Sequence, residues 1–96
     1  MNLREIINQS EHISDDLVIF ARKNGVWGLD APAALVLSSD MESIGAYLEE
    51  LVYFLEIEIA KEVLDVCKKR RNGREPNENE RIEALLYYVN NDAYLD

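Results

Sequence analysis

Three segments of the chain have the hydrophobic pattern of β-strands. The run from Leu17 to Ala21 is apolar at every position, which is typical of a central strand covered on both faces. A second apolar run, AALVLS, follows a proline that is suited to a strand entry. Between residues 53 and 59, apolar residues occupy every second position. We therefore predict one antiparallel sheet with strands at residues 16–22, 33–38 and 52–59.

Three other segments have the spacing of amphipathic helices. Their apolar residues recur at three- and four-residue intervals. Asn77, followed by Glu80, has the spacing of a capping box at the start of the last helix, and Gly73 is typical of the end of the helix before it. The predicted fold is α+β: a three-stranded antiparallel sheet packed with about three helices in a single domain, residues 1–96. The predicted helices lie near residues 2–12, 60–72 and 78–91.

The middle of the chain allows a second interpretation. Read as one helix from Ser43 to Arg71, it also presents an apolar stripe, and the protein would then be a largely helical bundle. Such a helix is long for so small a domain, and it would place Phe54 and Ile57 among carboxylates. Aromatic and β-branched residues favour the strand. Just before this strand, the sequence of residues 40–51 predicts a short helix or an ordered loop.

In a strand at residues 53–59, alternate side chains would point to opposite faces. Tyr53, Leu55, Ile57 and Ile59 would then face the core. An aromatic ring and carboxylates would share the exposed face, a combination typical of a protein-binding surface, although a merely solvated charged face has the same pattern. The predicted partner-binding residues are Phe54, Glu56, Glu58, Glu62, Asp65, Glu49 and Glu50.

The charge of the chain is acidic and unevenly distributed. Nineteen acidic residues against ten basic ones leave a net charge of −9. Residues 40–66 contain eight acids and one base, whereas the following CKKRRNGR contains five bases and no acid. Nucleic acid and anionic membranes repel such a chain, so neither is a predicted partner. We expect a basic protein partner instead.

No residues form a recognisable catalytic or metal-binding motif, so we predict neither an enzyme nor a cofactor. His12 is the only histidine and is predicted to lie at the surface, while the one cysteine, Cys67, faces inward on its helix and is predicted to be buried. A single cysteine, with neither a signal-peptide pattern nor a membrane-spanning apolar run, indicates the cytosol. The glutamates at 56, 58 and 62 leave one alternative, a small carboxylate-based enzyme or metal-binding domain.

Several segments resemble a family of small bacterial domains of unknown function. The likeness rests on YFLEIEIAKEVLDV, ERIEALLYYVNNDAYLD, an N-terminal LREII, the strand LVIFAR and a tryptophan before PAALVL. It spans most of the chain and implies a bacterial, cytosolic α+β domain with no catalytic residue. In size and acidity the chain is also similar to immunity proteins of polymorphic toxins, including those of contact-dependent growth inhibition.

Charge and resemblance together predict a small acidic cytoplasmic binding protein. We expect an immunity protein or antitoxin that covers the basic active or docking surface of a cognate bacterial toxin. Toxins that act on nucleic acid have cationic sites, so an acidic inhibitor imitates the charge of the substrate and associates rapidly. The pattern leaves the toxin's identity and the oligomeric state open.

Overall fold

The computed structural model describes residues 1–22, 28–40, 51–70 and 72–93. This part of the chain has the predicted α+β fold, a three-stranded antiparallel sheet with three α-helices. The predictions for residues 41–50, which include Glu49 and Glu50, lie outside it. The strands are β1 (Leu17–Ala21), β2 (Ala33–Leu37) and β3 (Val52–Glu56), and the helices are α1 (Leu3–Gln9), α2 (Ile57–Lys69) and α3 (Glu78–Asn91). Short 3₁₀-helices, Ser10–His12 and Ser38–Asp40, follow α1 and β2.

The sheet has the strand order β2-β1-β3, so β1 is central, as its apolar sequence predicts. Ile19 of β1 pairs with Leu35 on one side and Leu55 on the other, and all three belong to the cluster that packs against the helices. The neighbouring Val18 pairs with Val36, and both are also buried although they lie outside that cluster. Burial on both faces explains why β1 has no polar alternation.

The core lies between the sheet and the three helices. Each helix contributes one apolar face, because side chains three and four residues apart lie on the same side of a helix. Cys67 is buried in this core, as predicted. The buried core residues of the helices are Leu3, Ile6 and Ile7 in α1, Ile57, Ala60, Val63 and Cys67 in α2, and Ile82, Ala84 and Leu85 in α3.

The predicted third strand is too long, because β3 ends at Glu56 and α2 begins at Ile57. Apolar residues at 57 and 59 continue the alternation of the strand, but Ile57 also begins the helical series that buries Ala60 and Val63. Two periods therefore fit the same few residues. The helical one prevails because it buries a continuous stripe against the sheet. At the other end, α2 stops at Lys69, three residues before the predicted boundary.

A β-bulge at Phe54 changes the predicted orientation of two side chains of β3, Tyr53 and Phe54. Ile19 pairs with Leu55 and the next residue, Phe20, pairs with Tyr53, so Phe54 is an extra residue in β3. The bulge turns two consecutive side chains, Phe54 and Leu55, into the core, where they are 1% and 5% exposed. The prediction that Phe54 is exposed and Tyr53 buried is therefore wrong, since Tyr53 is 45% exposed.

Polar contacts fasten the N-terminal half of the chain to α2 and α3. Arg4 of α1 contacts Asp30 at 2.5 Å and Glu78, the first residue of α3, at 3.4 Å. Lys61 of α2 donates to the carbonyl oxygen of Ile13 and to the carboxylate of Asp15, each at 2.7 Å. The Arg4 contacts join α1 to α3 and to Asp30, and the Lys61 contacts join α2 to the segment between α1 and β1.

Candidate protein-binding surface

The outward face of α2 carries a row of carboxylates. Glu58, Glu62 and Asp65 follow one another at intervals of four and three residues, so they lie along one side of the helix. All three are exposed, and this side is opposite the buried stripe of Ala60 and Val63. We call these three residues the acidic row. Their placement close together agrees with the prediction, although it arises from a helix rather than from a strand followed by a helix.

The acidic row keeps most of its charge. Asp65 pairs with Lys69 at 2.9 Å, one turn further along the helix. Within the part of the chain that the structure describes, Glu58 and Glu62 form no ion pair. Glu58 lies in the first helical turn, where the positive end of the helix dipole stabilises a carboxylate. The row therefore presents two negative charges that have no ion-pair partner among the described residues.

Glu56 lies at the junction of β3 and α2, two residues before Glu58. It occupies the N-cap position of α2, but its side chain makes no capping hydrogen bond and is exposed. Together with Asp92 it contributes the carboxylates of a cleft of about 300 Å³ between β3 and the C-terminal turn of α3. We call this the tyrosine cleft. Its lining residues are Tyr53, Phe54, Leu55, Glu56, Ile59, Tyr88, Val89 and Asp92.

Tyr53 forms one wall of the tyrosine cleft. Its ring makes an edge-to-face contact with Phe20, its partner across the strands, with 6.3 Å between ring centres. The pKa of Tyr53 is raised above its ordinary value, first because burial disfavours the phenolate and next because the Glu56 carboxylate is close to it. The folded protein therefore holds the phenol proton more firmly than an exposed tyrosine does.

A larger cleft, of about 520 Å³, lies on the other flank of α2, between α1 and the start of α3. Its charged lining residues are three acids and three bases, in contrast to the tyrosine cleft. Two of the bases are paired with acids, Lys61 with Asp15 and Lys68 with Glu75, at 2.7 and 2.5 Å. Charge is thus neutralised within this cleft, and we do not assign it a charged ligand.

The structure brings together only part of the predicted site. Glu58, Glu62 and Asp65 lie along one exposed side of α2 and Glu56 is exposed at its start, but the ring of Phe54 lies in the core and cannot contact a partner. Glu56 and Glu58 do not share a strand face, since Glu58 belongs to α2. Sequence reasoning missed the tyrosine cleft, because the bulge that exposes Tyr53 and the packing that brings in Tyr88 and Asp92 leave no local pattern in the sequence.

The described residues contain little other chemistry. His12 is exposed, as predicted. In the ranges described, no group of three or more histidine, cysteine, aspartate or glutamate side chains is placed to hold a metal ion. None of the described helices is both long and apolar enough to span a membrane.

The fold and surface define a small α+β domain with an acidic, partly aromatic face. The chain belongs to the family described as Domain of unknown function (DUF7716), whose model matches residues 1–96. This confirms the resemblance to a small domain family of unknown function. No curated protein and no solved structure matches the chain.

Proposed function

We propose that this domain is a non-catalytic binding protein of the bacterial cytoplasm and that its acidic row contacts a basic protein. The observation that supports this most directly is the pair Glu58 and Glu62, two exposed carboxylates on one helix face with no ion-pair partner among the described residues. Charges of one sign on a rigid helix complement a cationic surface and increase the association rate.

The particular class that we propose is an immunity protein or antitoxin. A toxin that acts on nucleic acid needs a cationic surface to bind its substrate, and an acidic helix can cover that surface. Small size, a net charge of −9 and a stable helical scaffold for the carboxylates are all consistent with an inhibitor that acts by steric and electrostatic blockade.

The first test uses the protein encoded beside the gene of this chain. We expect that protein to contain a basic domain, to be toxic when expressed alone and to be neutralised when this chain is co-expressed. A neighbouring product that neither binds this chain nor is neutralised by it would contradict the assignment to a toxin–immunity pair.

The surface is tested by reversing one charge of the row. Glu62→Lys should leave the fold intact, because the side chain is exposed and a lysine there lies four residues after Glu58, a favourable helical pair. It should weaken partner binding by about tenfold or more, which corresponds to ~1.4 kcal/mol.

Glu83→Lys is the matched control, since Glu83 is also exposed but belongs to α3. It makes the same change in net charge away from the row, so we expect a smaller effect, within about threefold. Equal losses for Glu62→Lys and Glu83→Lys would show that only net charge matters, and no loss for either would exclude the acidic row from the interface.

A second measurement follows the association rate with increasing salt. Added salt screens exposed charges, with a Debye length that falls from ~10 Å at 0.1 M to ~3 Å at 1 M. We therefore expect the association rate constant to fall strongly over this range while the dissociation rate constant changes less. A salt-independent association rate in stopped-flow experiments would contradict the electrostatic part of the proposal.

A further inference from the structure

The tyrosine cleft differs from the larger cleft in that its charges are of one sign. Glu56 and Asp92 are its charged residues, and no lysine, arginine or histidine is among its described lining residues. In the larger cleft, three bases balance three acids. The tyrosine cleft therefore has a negative charge that its described lining residues do not neutralise.

The end of α3 adds to this negative charge. The last helical turn exposes backbone carbonyl groups, which give the C-terminus of a helix a negative partial charge. Lysine, arginine or histidine in that turn would compensate it, but α3 has none there. The helix ends instead at Asp92, whose carboxylate lies at the negative end of the dipole. The negative end of the helix dipole and the Asp92 carboxylate would both stabilise a cation that binds in the cleft.

The walls of the cleft suit a flat cation with an apolar stem. Tyr53 and Tyr88 contribute aromatic surface, which attracts cations, while Ile59 and Val89 contribute apolar contact for a methylene chain. A guanidinium group is planar, stacks on aromatic rings and donates up to five hydrogen bonds in a fork that matches carboxylates, whereas an ammonium is compact and strongly hydrated. A volume of about 300 Å³ is sufficient for one arginine side chain.

We propose that the tyrosine cleft receives one arginine side chain of the basic partner, with its guanidinium between the two tyrosines and its hydrogen bonds directed to Glu56 and Asp92. This inference rests on the proposed function for the source of the arginine and deepens it, because it assigns a specificity pocket next to the acidic row. The row would attract the partner over distance, and the cleft would fix its orientation.

Binding of a single arginine can be tested without the partner. We would titrate the ¹⁵N-labelled protein with N-acetyl-arginine amide and record ¹H–¹⁵N correlation spectra. N-acetyl-citrulline amide, the neutral isostere, is the control ligand. We expect saturable shifts at the cleft amides, including those of Ile59 and Val89, and binding about tenfold weaker for citrulline. Equal shifts with both ligands, or shifts confined to the acidic row, would overturn the proposal.

The double variant Glu56→Gln with Asp92→Asn tests the two carboxylates. Both changes preserve shape, the Glu56 side chain forms no cap, and asparagine tolerates the left-handed backbone of Asp92 at φ 55°. We expect binding of N-acetyl-arginine amide to weaken by about fivefold, as expected for the loss of two exposed ion pairs. Glu62→Gln, which removes one charge outside the cleft, should change the affinity for N-acetyl-arginine amide by no more than about twofold.

Unchanged arginine binding in the double variant would overturn the assignment of the carboxylates, and equal binding of N-acetyl-lysine amide would overturn the assignment to arginine. These outcomes are separable from a failure of the proposed function. If arginine does not bind but Glu62→Lys still weakens the partner complex, the cleft proposal fails alone. If arginine binds the cleft and no basic partner exists, the proposed function fails alone.

Discussion

Truncation of Phe54 is the most direct test of the bulge in β3. With the bulge, the ring is 1% exposed and lies in the core. In a regularly alternating strand the same ring would point to solvent. Phe54→Ala should therefore affect stability strongly if the bulge is present and only slightly if it is absent.

The expected magnitude follows from burial. Removing a fully buried phenylalanine side chain costs about 3–5 kcal/mol, the sum of the lost transfer free energy and the cavity left behind. A domain of this length has a total stability of about 5–14 kcal/mol, so the variant would lose a large share of it. In thermal unfolding, each kcal/mol corresponds to about 4–8 °C at this size, which predicts a fall in Tm of at least ~12 °C.

Tyr53→Ala is the matched control in the same strand. Tyr53 is 45% exposed and its main described ring contact is the edge-to-face pair with Phe20, so its truncation should cost only about 1–2 kcal/mol. The assay is urea unfolding followed by circular dichroism, with the m-value checked for two-state behaviour. If Phe54→Ala does not fold, Phe54→Leu, with an expected cost of about 1 kcal/mol, replaces it.

Equal or reversed costs for Phe54→Ala and Tyr53→Ala would refute the reasoning. Such a result would show that the ring of Phe54 is not in the core and that β3 alternates as its sequence first suggests. It would also remove the tyrosine cleft, because Tyr53 would then point inward.

Three further predictions concern backbone geometry, capping and pH. Gly73 has φ +81° with open space around it, so Gly73→Ala should cost about 1 kcal/mol from backbone strain alone, whereas Gly28→Ala, also in open space but without such a φ, should cost nothing in the same urea assay. Asn77→Ala removes the side-chain oxygen that accepts from the backbone N–H of Glu80 and should destabilise by about 1 kcal/mol, whereas the exposed Asn79→Ala should cost less than about 0.5 kcal/mol; equal effects would show that the cap contributes nothing. The raised pKa of Tyr53 means that the folded state holds this proton more tightly than the unfolded chain, so its contribution to stability is complete below pH 10 and is lost as the pH rises above it. The variant Tyr53→Phe should have a flatter stability profile above pH 10, and an unchanged profile would contradict the shift.

The two ends of α3 differ in how much of their structure and role the local sequence predicts. The capping box of Asn77 and Glu80 is read directly from two residues at fixed spacing, and the structure contains both of its hydrogen bonds, at 2.8 and 3.0 Å. At the other end, Asp92 adopts a left-handed conformation and turns into the tyrosine cleft, yet its significance depends on β3, which lies far away in the sequence. Local hydrogen bonds need only neighbours, whereas a cleft needs two elements to pack.

The sequence by itself determined the class of the fold, the approximate elements and the charge of the surface. An apolar run identified β1 as central, and helical spacing identified the buried faces of α1 and α3, because the spacing of apolar residues in the sequence indicates which side of an element is buried. It also placed Glu58, Glu62 and Asp65 on the surface, since carboxylates without partners are too costly to bury.

Only the tertiary structure decided where β3 ends and which way its side chains point. Between residues 53 and 59 the strand and helix periods both fit, and the choice depends on which arrangement buries Ile57 and Phe54 against the rest of the core. One extra residue, taken up as a bulge, changes the faces of Tyr53 and Phe54, because the side chains of a strand alternate with a period of two, while Leu55 and Glu56 keep their predicted faces. This change buries Phe54, the predicted aromatic residue of the binding surface, and exposes Tyr53 in its place. It results from packing, and no local sequence pattern predicts it.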